Sequence, residues 1–192
     1  DYLIKNERDN LYYLYPVINQ FYDENTKRKM EAEILEKNGS LESFVKKCKI
    51  GENDTKICSL IRQDLKDDFI IYINQTNTPL TSQVTDSLFE TNIFLKNRQS
   101  TLIEYSAYHG SIQIFQYLML CNVKLTPSLW FYAIHSRNAE IIQLLEDNKV
   151  GFNYDAVISE SIKSYFNDFS DYLDSNYNQN KPGVEKFIDC II

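Results

Sequence analysis

The chain holds only two histidines, His109 and His135, and they are its candidates for acid–base or nucleophilic chemistry near neutral pH. Nucleophilic catalysis needs a serine or cysteine beside a histidine that is itself oriented by a carboxylate. The sequence contains no Gly-x-Ser-x-Gly, no phosphate-binding loop, no dinucleotide fingerprint and no HExxH. We therefore predict no catalytic residues and no enzyme, and we expect an exposed or helix-capping role for both histidines.

Metal binding is not predicted by the spacing of the cysteines. The four thiols are those of Cys48, Cys58, Cys121 and Cys190, which form no CxxC pair. Together with two histidines they offer no spacing that is typical of a zinc site. We expect reduced and mostly buried thiols, no metal and no cofactor.

The net charge of the 192-residue chain is −7, from 20 lysines and arginines against 27 aspartates and glutamates. A phosphate backbone or an anionic lipid surface would be repelled on average, so neither nucleic acid nor a membrane is expected as a partner. The charge is uneven, because residues 151–192 hold seven acidic and three basic side chains. A basic partner would explain this acidic end, although a solvated face is the commoner reason.

No apolar run approaches the roughly 18 residues of a membrane span, and the first residues lack the pattern of a signal peptide. We therefore expect a soluble, cytoplasmic monomer. Because the chain starts at Asp1 and ends on the apolar stretch 187–192, we also expect it to be part of a longer protein.

Apolar residues at helical spacing predict an all-α protein. Residues 1-54 form the predicted N-terminal helical cap, with apolar faces in the ranges 11–18, 30–35 and 41–45. Gly39 and Gly51 end the second and third helices of this cap, since glycine takes the left-handed turn that closes a helix. Residues 55-192 begin with a helix hairpin, followed by a polar stretch at residues 74-100 that predicts a long loop with one short helical turn.

Internal repetition is the strongest pattern beyond residue 100. Residues 101–118 align with residues 128–145 at an offset of 27, and a third copy follows at an offset of 28. Two short helices cannot cover their own apolar faces, so neighbouring pairs must stack into a continuous core, which is a solenoid of helical hairpins. The predicted helices, in consecutive antiparallel pairs, span residues 101-109, 111-121, 128-136, 138-147, 155-164 and 167-175.

The first repeat resembles an ankyrin repeat, whose pattern runs Thr-Pro-Leu-His, two small residues, a glycine turn and a paired aliphatic. The matching residues are Thr101, Ile103, Ser106, Ala107, Gly110, Ile114, Phe115 and Leu118. The sequence departs from the ankyrin pattern at Leu102, Glu104 and Arg137, and its units are 27–28 residues long instead of the usual 33. With its helical N-terminal segment, the chain resembles a protist family of ankyrin-like proteins with an uncharacterised N-terminal domain, a family without an established activity.

The resemblance implies a protein–protein interaction scaffold that binds an unknown protein partner on the concave surface of the first helices. That surface uses the last exposed positions of those helices and the loop before them. The predicted binding residues are Gln99, Ser100, Tyr108, His109, His135, Ser136, Lys163 and Ser164. The alternatives are a regulatory or targeting module of an enzyme whose chemistry lies elsewhere, and a structural spacer.

The aromatic run that begins at Trp130 allows two interpretations. It could be a platform on which a ligand stacks, or it could be part of the core. We favour the core, because the helical register directs part of this run against the neighbouring repeat.

Overall fold

A computed structural model of the chain describes residues 12–96 and 98–177. Within these ranges the regular structure is helical, no strand is formed, and an isolated bridge pairs Gln83 with Thr101. The predicted all-α class is confirmed. None of the helices in these ranges combines the length and the apolar character needed to cross a membrane.

Short helices joined by tight turns account for most of the described chain. They are α1 (residues 12–18), α2 (Glu24–Asn38), α3 (Leu41–Ile50), α4 (Lys56–Arg62), α5 (Lys66–Thr76), α6 (Ile93–Lys96), α7 (Leu102–His109), α8 (Ile112–Leu120), α9 (Leu129–Ser136), α10 (Ala139–Asp147), α11 (Tyr154–Lys163) and α12 (Asn167–Tyr177). The six helices predicted after residue 100 are all present, with ends within two residues of the prediction. Residues 187–192, predicted to cap the last repeat, lie outside the described residues.

The chain divides into two compact units. Among the described residues, the first unit contains residues 12–59 together with Val84–Gln99, and the second contains Leu60–Gln83 together with residues 100–177. The sequence predicts a boundary after residue 54; in this division the first unit runs to Ser59 and also takes in the later part of the 74-100 loop.

Hydrogen bonds and one aromatic ring attach that part of the loop to the first unit. The buried backbone N–H of Asn53 donates to Glu90 Oε2 at 3.3 Å, and the Asn53 side chain donates to the carbonyl of Thr85 at 2.8 Å. Phe89 is buried, and its ring meets the ring of Phe44 edge-on at 5.5 Å. These contacts join residues far apart in sequence, which is why sequence periodicity did not indicate them.

In the second unit the helices pack in two series. Helix α7 packs against α9, which packs against α11, and these are the first helices of the three repeats. Helix α8 packs against both α5 and α10. Each first helix also contacts the helix that follows it, in the pairs α7–α8, α9–α10 and α11–α12.

The turns that end these helices repeat with the same spacing as the sequence. After the first helices, Gly110, Arg137 and Tyr165 have φ angles of 68°, 52° and 54°. After the second helices, Asn122 and Lys149 have φ angles of 61° and 53°. The spacings of 27 and 28 residues equal the sequence offsets, so one left-handed turn conformation recurs although only the first repeat has glycine there.

Candidate functional site

Three partly exposed side chains of the second unit form a row across α7, α9 and α11. The rings of Tyr108 and His135 lie 5.4 Å apart between centroids, and His135 Nε2 lies 2.9 Å from Glu160 Oε1. We call these three residues the Tyr108 row. Tyr108 and His135 are 27 residues apart and hold equivalent positions in successive repeats, so helix stacking brings them together.

The contact between His135 and Glu160 orients the imidazole. The side chains are 22% and 18% exposed, so solvent still reaches both partners. A carboxylate that accepts from a ring N–H limits the rotation of that ring. The row therefore offers a phenol, an oriented imidazole and a carboxylate on one partly exposed surface.

A capping network holds the N-terminal ends of α7 and α9 together. The Glu104 carboxylate accepts from the backbone N–H of Thr101 at 2.8 Å, which completes a capping box at the start of α7. Its other oxygen accepts from the Ser128 hydroxyl at 2.6 Å, just before α9. The glutamate that departs from the ankyrin pattern thus links two successive repeats.

A second set of hydrogen bonds links the turns at the opposite ends of these helices. The Asn138 amide donates to the carbonyl of Gly110 at 3.1 Å, and Arg137 Nη2 donates to the carbonyl of Ser164 at 2.7 Å. Each bond runs from one repeat to its neighbour. The spacing of the first helices, and hence the spacing within the Tyr108 row, is restrained at both ends.

The ring of His109 is only partly exposed, because it packs among aromatic side chains of α7. Its ring packs against the rings of Tyr105 at 4.5 Å and Tyr108 at 5.0 Å, and Nε2 is enclosed without a hydrogen-bond partner among the described residues. Burial, helped by the positive charge of Arg62, lowers the pKa of His109 from 6.5 to about 4. His109 is therefore neutral near pH 6, where an exposed histidine changes charge.

Two of the three predicted serines are also not available to a partner. Ser100 is 3% exposed and donates to the hydroxyl of Tyr132 at 3.1 Å, and the Ser164 hydroxyl is enclosed. Ser136 is partly exposed, but its hydroxyl donates to the carbonyl of Ala133 at 2.9 Å. The Ser136 hydroxyl thus satisfies the local backbone, as short hydroxyl side chains near helix ends commonly do.

The two remaining predicted residues, Gln99 and Lys163, are exposed. Gln99 belongs to the first compact unit, whereas the other predicted residues belong to the second. Glu160 was not predicted as a site residue, although it lies three positions before Lys163 on α11, where helical residues share a face. The structure thus brings together Tyr108 and His135 from the predicted set and adds Glu160.

Trp130 confirms the core interpretation of the aromatic run. It is 1% exposed, and its ring N–H donates to the carbonyl of Val150 at 3.0 Å. Cys48 and Cys58 are thiols outside any disulfide and are buried as expected, Cys121 is an exposed thiol, and Cys190 lies outside the described residues. In the ranges that the structure describes, no group of three or more His, Cys, Asp or Glu side chains could hold a metal ion.

Comparison with models of protein families, with curated proteins and with solved structures finds no match to this chain. The clearest feature of the site geometry is the Tyr108 row, and we infer function from it.

Proposed function

We propose that this chain is a protein–protein interaction scaffold, in which stacked ankyrin-like helix pairs present a binding surface on their first helices. The observation that carries the proposal is the Tyr108 row, in which three consecutive first helices each contribute one partly exposed side chain. A surface shared by several repeats is the usual mode of binding in repeat proteins, because each repeat supplies only a few contacts.

The stacking of successive repeats supports this proposal. The left-handed turns recur at 27 and 28 residues, and the first helices pack in the order α7, α9, α11. The hydrogen bonds from Asn138 to Gly110 and from Arg137 to Ser164 restrain neighbouring repeats. A restrained surface loses little conformational entropy when a partner binds.

The residue types of the row also suit recognition of a protein. Tyrosine is enriched among residues that dominate binding energy, because its ring gives a large contact area with few rotatable bonds. His135 and Glu160 add a polar pair that can select partners by hydrogen bonding and charge. We place the binding surface at Tyr108, His135 and Glu160, with Lys163 at its edge.

The experiment compares capture of partners from an extract of the source cells by the immobilised chain and by a double variant, Tyr108→Ala with His135→Ala. The control double variant, Gln116→Ala with Gln143→Ala, changes two exposed residues at equivalent positions of α8 and α10. We expect at least about tenfold weaker capture by the first variant and unchanged capture by the control, since hot-spot truncations cost about 2 kcal/mol or more each.

Urea unfolding distinguishes loss of the surface from loss of the fold. Because both side chains are partly exposed, the free energy of unfolding of the first variant should change by no more than about 1 kcal/mol. Full retention of every captured protein would place binding on another surface and would contradict the proposal. Loss of folding together with capture would identify the row as packing and would contradict it as well.

A further inference from the structure

A cleft of about 440 Å³ lies in the second unit, away from the Tyr108 row. It is lined by residues of α9, α10, α11, α12 and the connection between α10 and α11. Trp130, Phe152 and Tyr177 are among its aromatic lining residues, and Glu146 and Lys149 supply one charge of each sign. Protein clefts that combine apolar walls with a few polar groups are typical small-ligand sites.

The aromatic rings that line the cleft lie at steep angles to one another. The rings of Trp130 and Phe152 lie 4.8 Å apart with their planes at 51°. The rings of Phe152 and Tyr177 lie 5.2 Å apart with their planes at 77°. Rings that meet at steep angles can surround a compact group, and their faces attract a cation through the ring quadrupole.

Glu146 is held in place by two phenols. Its Oε1 atom accepts from Tyr172 at 2.8 Å and from Tyr177 at 3.1 Å. The hydrogen bond to Glu146 raises the pKa of Tyr172 to about 12, and burial together with the same carboxylate raises the pKa of Tyr177. Both phenols therefore remain protonated donors near neutral pH, and the carboxylate keeps its position at the wall.

The stretch of sequence that supplies most of the cleft is acidic. Residues 144–177 contain seven acidic and two basic side chains. Tyr154, which also lines the cleft, donates to the carboxylate of Asp174 at 2.9 Å. One of the two basic residues, Lys149, lies at the cleft, but its side chain is exposed and its ammonium is therefore hydrated.

We propose that this cleft binds an alkylated ammonium group, of the kind found in choline or in a trimethylated lysine side chain. The methyl groups of the ligand pack against the aromatic side chains that line the cleft. Its positive charge is attracted by the faces of the rings and by the carboxylate of Glu146. A neutral group of the same shape should bind less tightly because it lacks the positive charge. An unalkylated ammonium should also bind less tightly, because it loses more hydration when it enters the cleft. This site is independent of the proposed protein-binding surface.

Trp130 provides a direct readout, because it is the only tryptophan of the chain. Its fluorescence is followed while choline is added at constant ionic strength, and then with 3,3-dimethylbutan-1-ol, the neutral isostere of choline. We expect a saturable change with choline and at least about tenfold weaker binding of the neutral alcohol. Equal binding of the two compounds, or no saturable change with choline, would overturn the proposal.

Two variants test the residues in the site. Glu146→Gln keeps an acceptor for both phenols and removes the charge, and Phe152→Leu keeps an apolar side chain and removes a ring. Each should weaken choline binding by at least about threefold, whereas Gln143→Ala, at an exposed position of α10, should not. Equal affinity of all three variants and the original chain, with unchanged urea midpoints, would contradict this assignment.

A final comparison identifies the source of the ammonium group. A peptide with one trimethyllysine and its unmodified counterpart are titrated beside choline. Tighter binding of the trimethylated peptide than of choline would support a protein side chain, and the reverse order would support a free ligand. Binding of the unmodified peptide as tight as the methylated one would overturn the proposal. The Tyr108→Ala, His135→Ala variant should bind choline normally, so the two proposals can fail separately.

Discussion

The imidazole of His109 lies between the rings of Tyr105 and Tyr108, where its charged form would lose hydration. Burial and the charge of Arg62 therefore keep the pKa at about 4, against 6.5 for an exposed histidine. Between these two values the unfolded chain binds a proton that the folded chain does not. The free energy of unfolding consequently falls as the pH is lowered through this range.

Replacement of His109 by Phe should remove this contribution. A pKa difference of one unit corresponds to about 1.4 kcal/mol, so the original chain should lose roughly 2–3 kcal/mol more than His109→Phe between about pH 7 and pH 4.5. Urea unfolding of both proteins at the two pH values measures this difference. All other titratable groups are present in both proteins, so their contributions cancel in the comparison. Equal losses of unfolding free energy would therefore show that His109 does not resist protonation in the folded chain.

At the scale of the helices, Ala107 and Ala133 show why small residues lie on helices that pack closely, as α7 and α9 do. Both are 0% exposed, and they lie on the neighbouring helices α7 and α9. Protein interiors are close-packed, so a larger side chain at these positions must displace its neighbours. The two alanines thus permit the close stacking on which the Tyr108 row depends.

Either Ala107→Leu or Ala133→Leu should overpack the stack and lower the free energy of unfolding by roughly 1–3 kcal/mol. Ala139→Leu is the matched control, because Ala139 is exposed at the start of α10 and should change stability by no more than about 0.5 kcal/mol. Urea midpoints measure all three variants. Unchanged midpoints for both buried positions would contradict the alignment of the repeats.

For the whole molecule, the net charge of −7 is the dominant electrostatic feature. Described ion pairs such as Lys47 with Asp54 at 2.8 Å are local and partly exposed, so they contribute little to offset the repulsion. Repulsion among the excess carboxylates opposes the compact state.

Added salt should therefore stabilise the chain at neutral pH. A change from about 0.01 M to about 0.15 M NaCl shortens the Debye length from about 30 Å to about 8 Å, which screens the repulsion and should raise the urea midpoint. Near the isoelectric point of about 4.9 the same salt change should have little effect. A lower midpoint in salt at neutral pH would indicate that attractive ion pairs exceed the repulsion.

The sequence by itself determined the helices and their ends. Apolar spacing located the six helices after residue 100, and the turn-forming Gly39 and Gly51 marked the ends of α2 and α3. Ala107, a small residue that matches the ankyrin pattern, is buried where two helices pack. These features depend on interactions between residues a few positions apart, which a linear pattern records.

Only the tertiary structure decided which side chains remain accessible. The burial of Ser100, the enclosure of His109 Nε2, the pairing of His135 with Glu160 and the attachment of residues 84–99 to the first unit all involve distant parts of the chain. Neighbouring residues at the end of α7 can thus differ, so that Tyr108 joins the row while the Nε2 atom of His109 is enclosed. Such outcomes depend on how whole helices pack, and packing is set by the combined shapes of many side chains that no local spacing records.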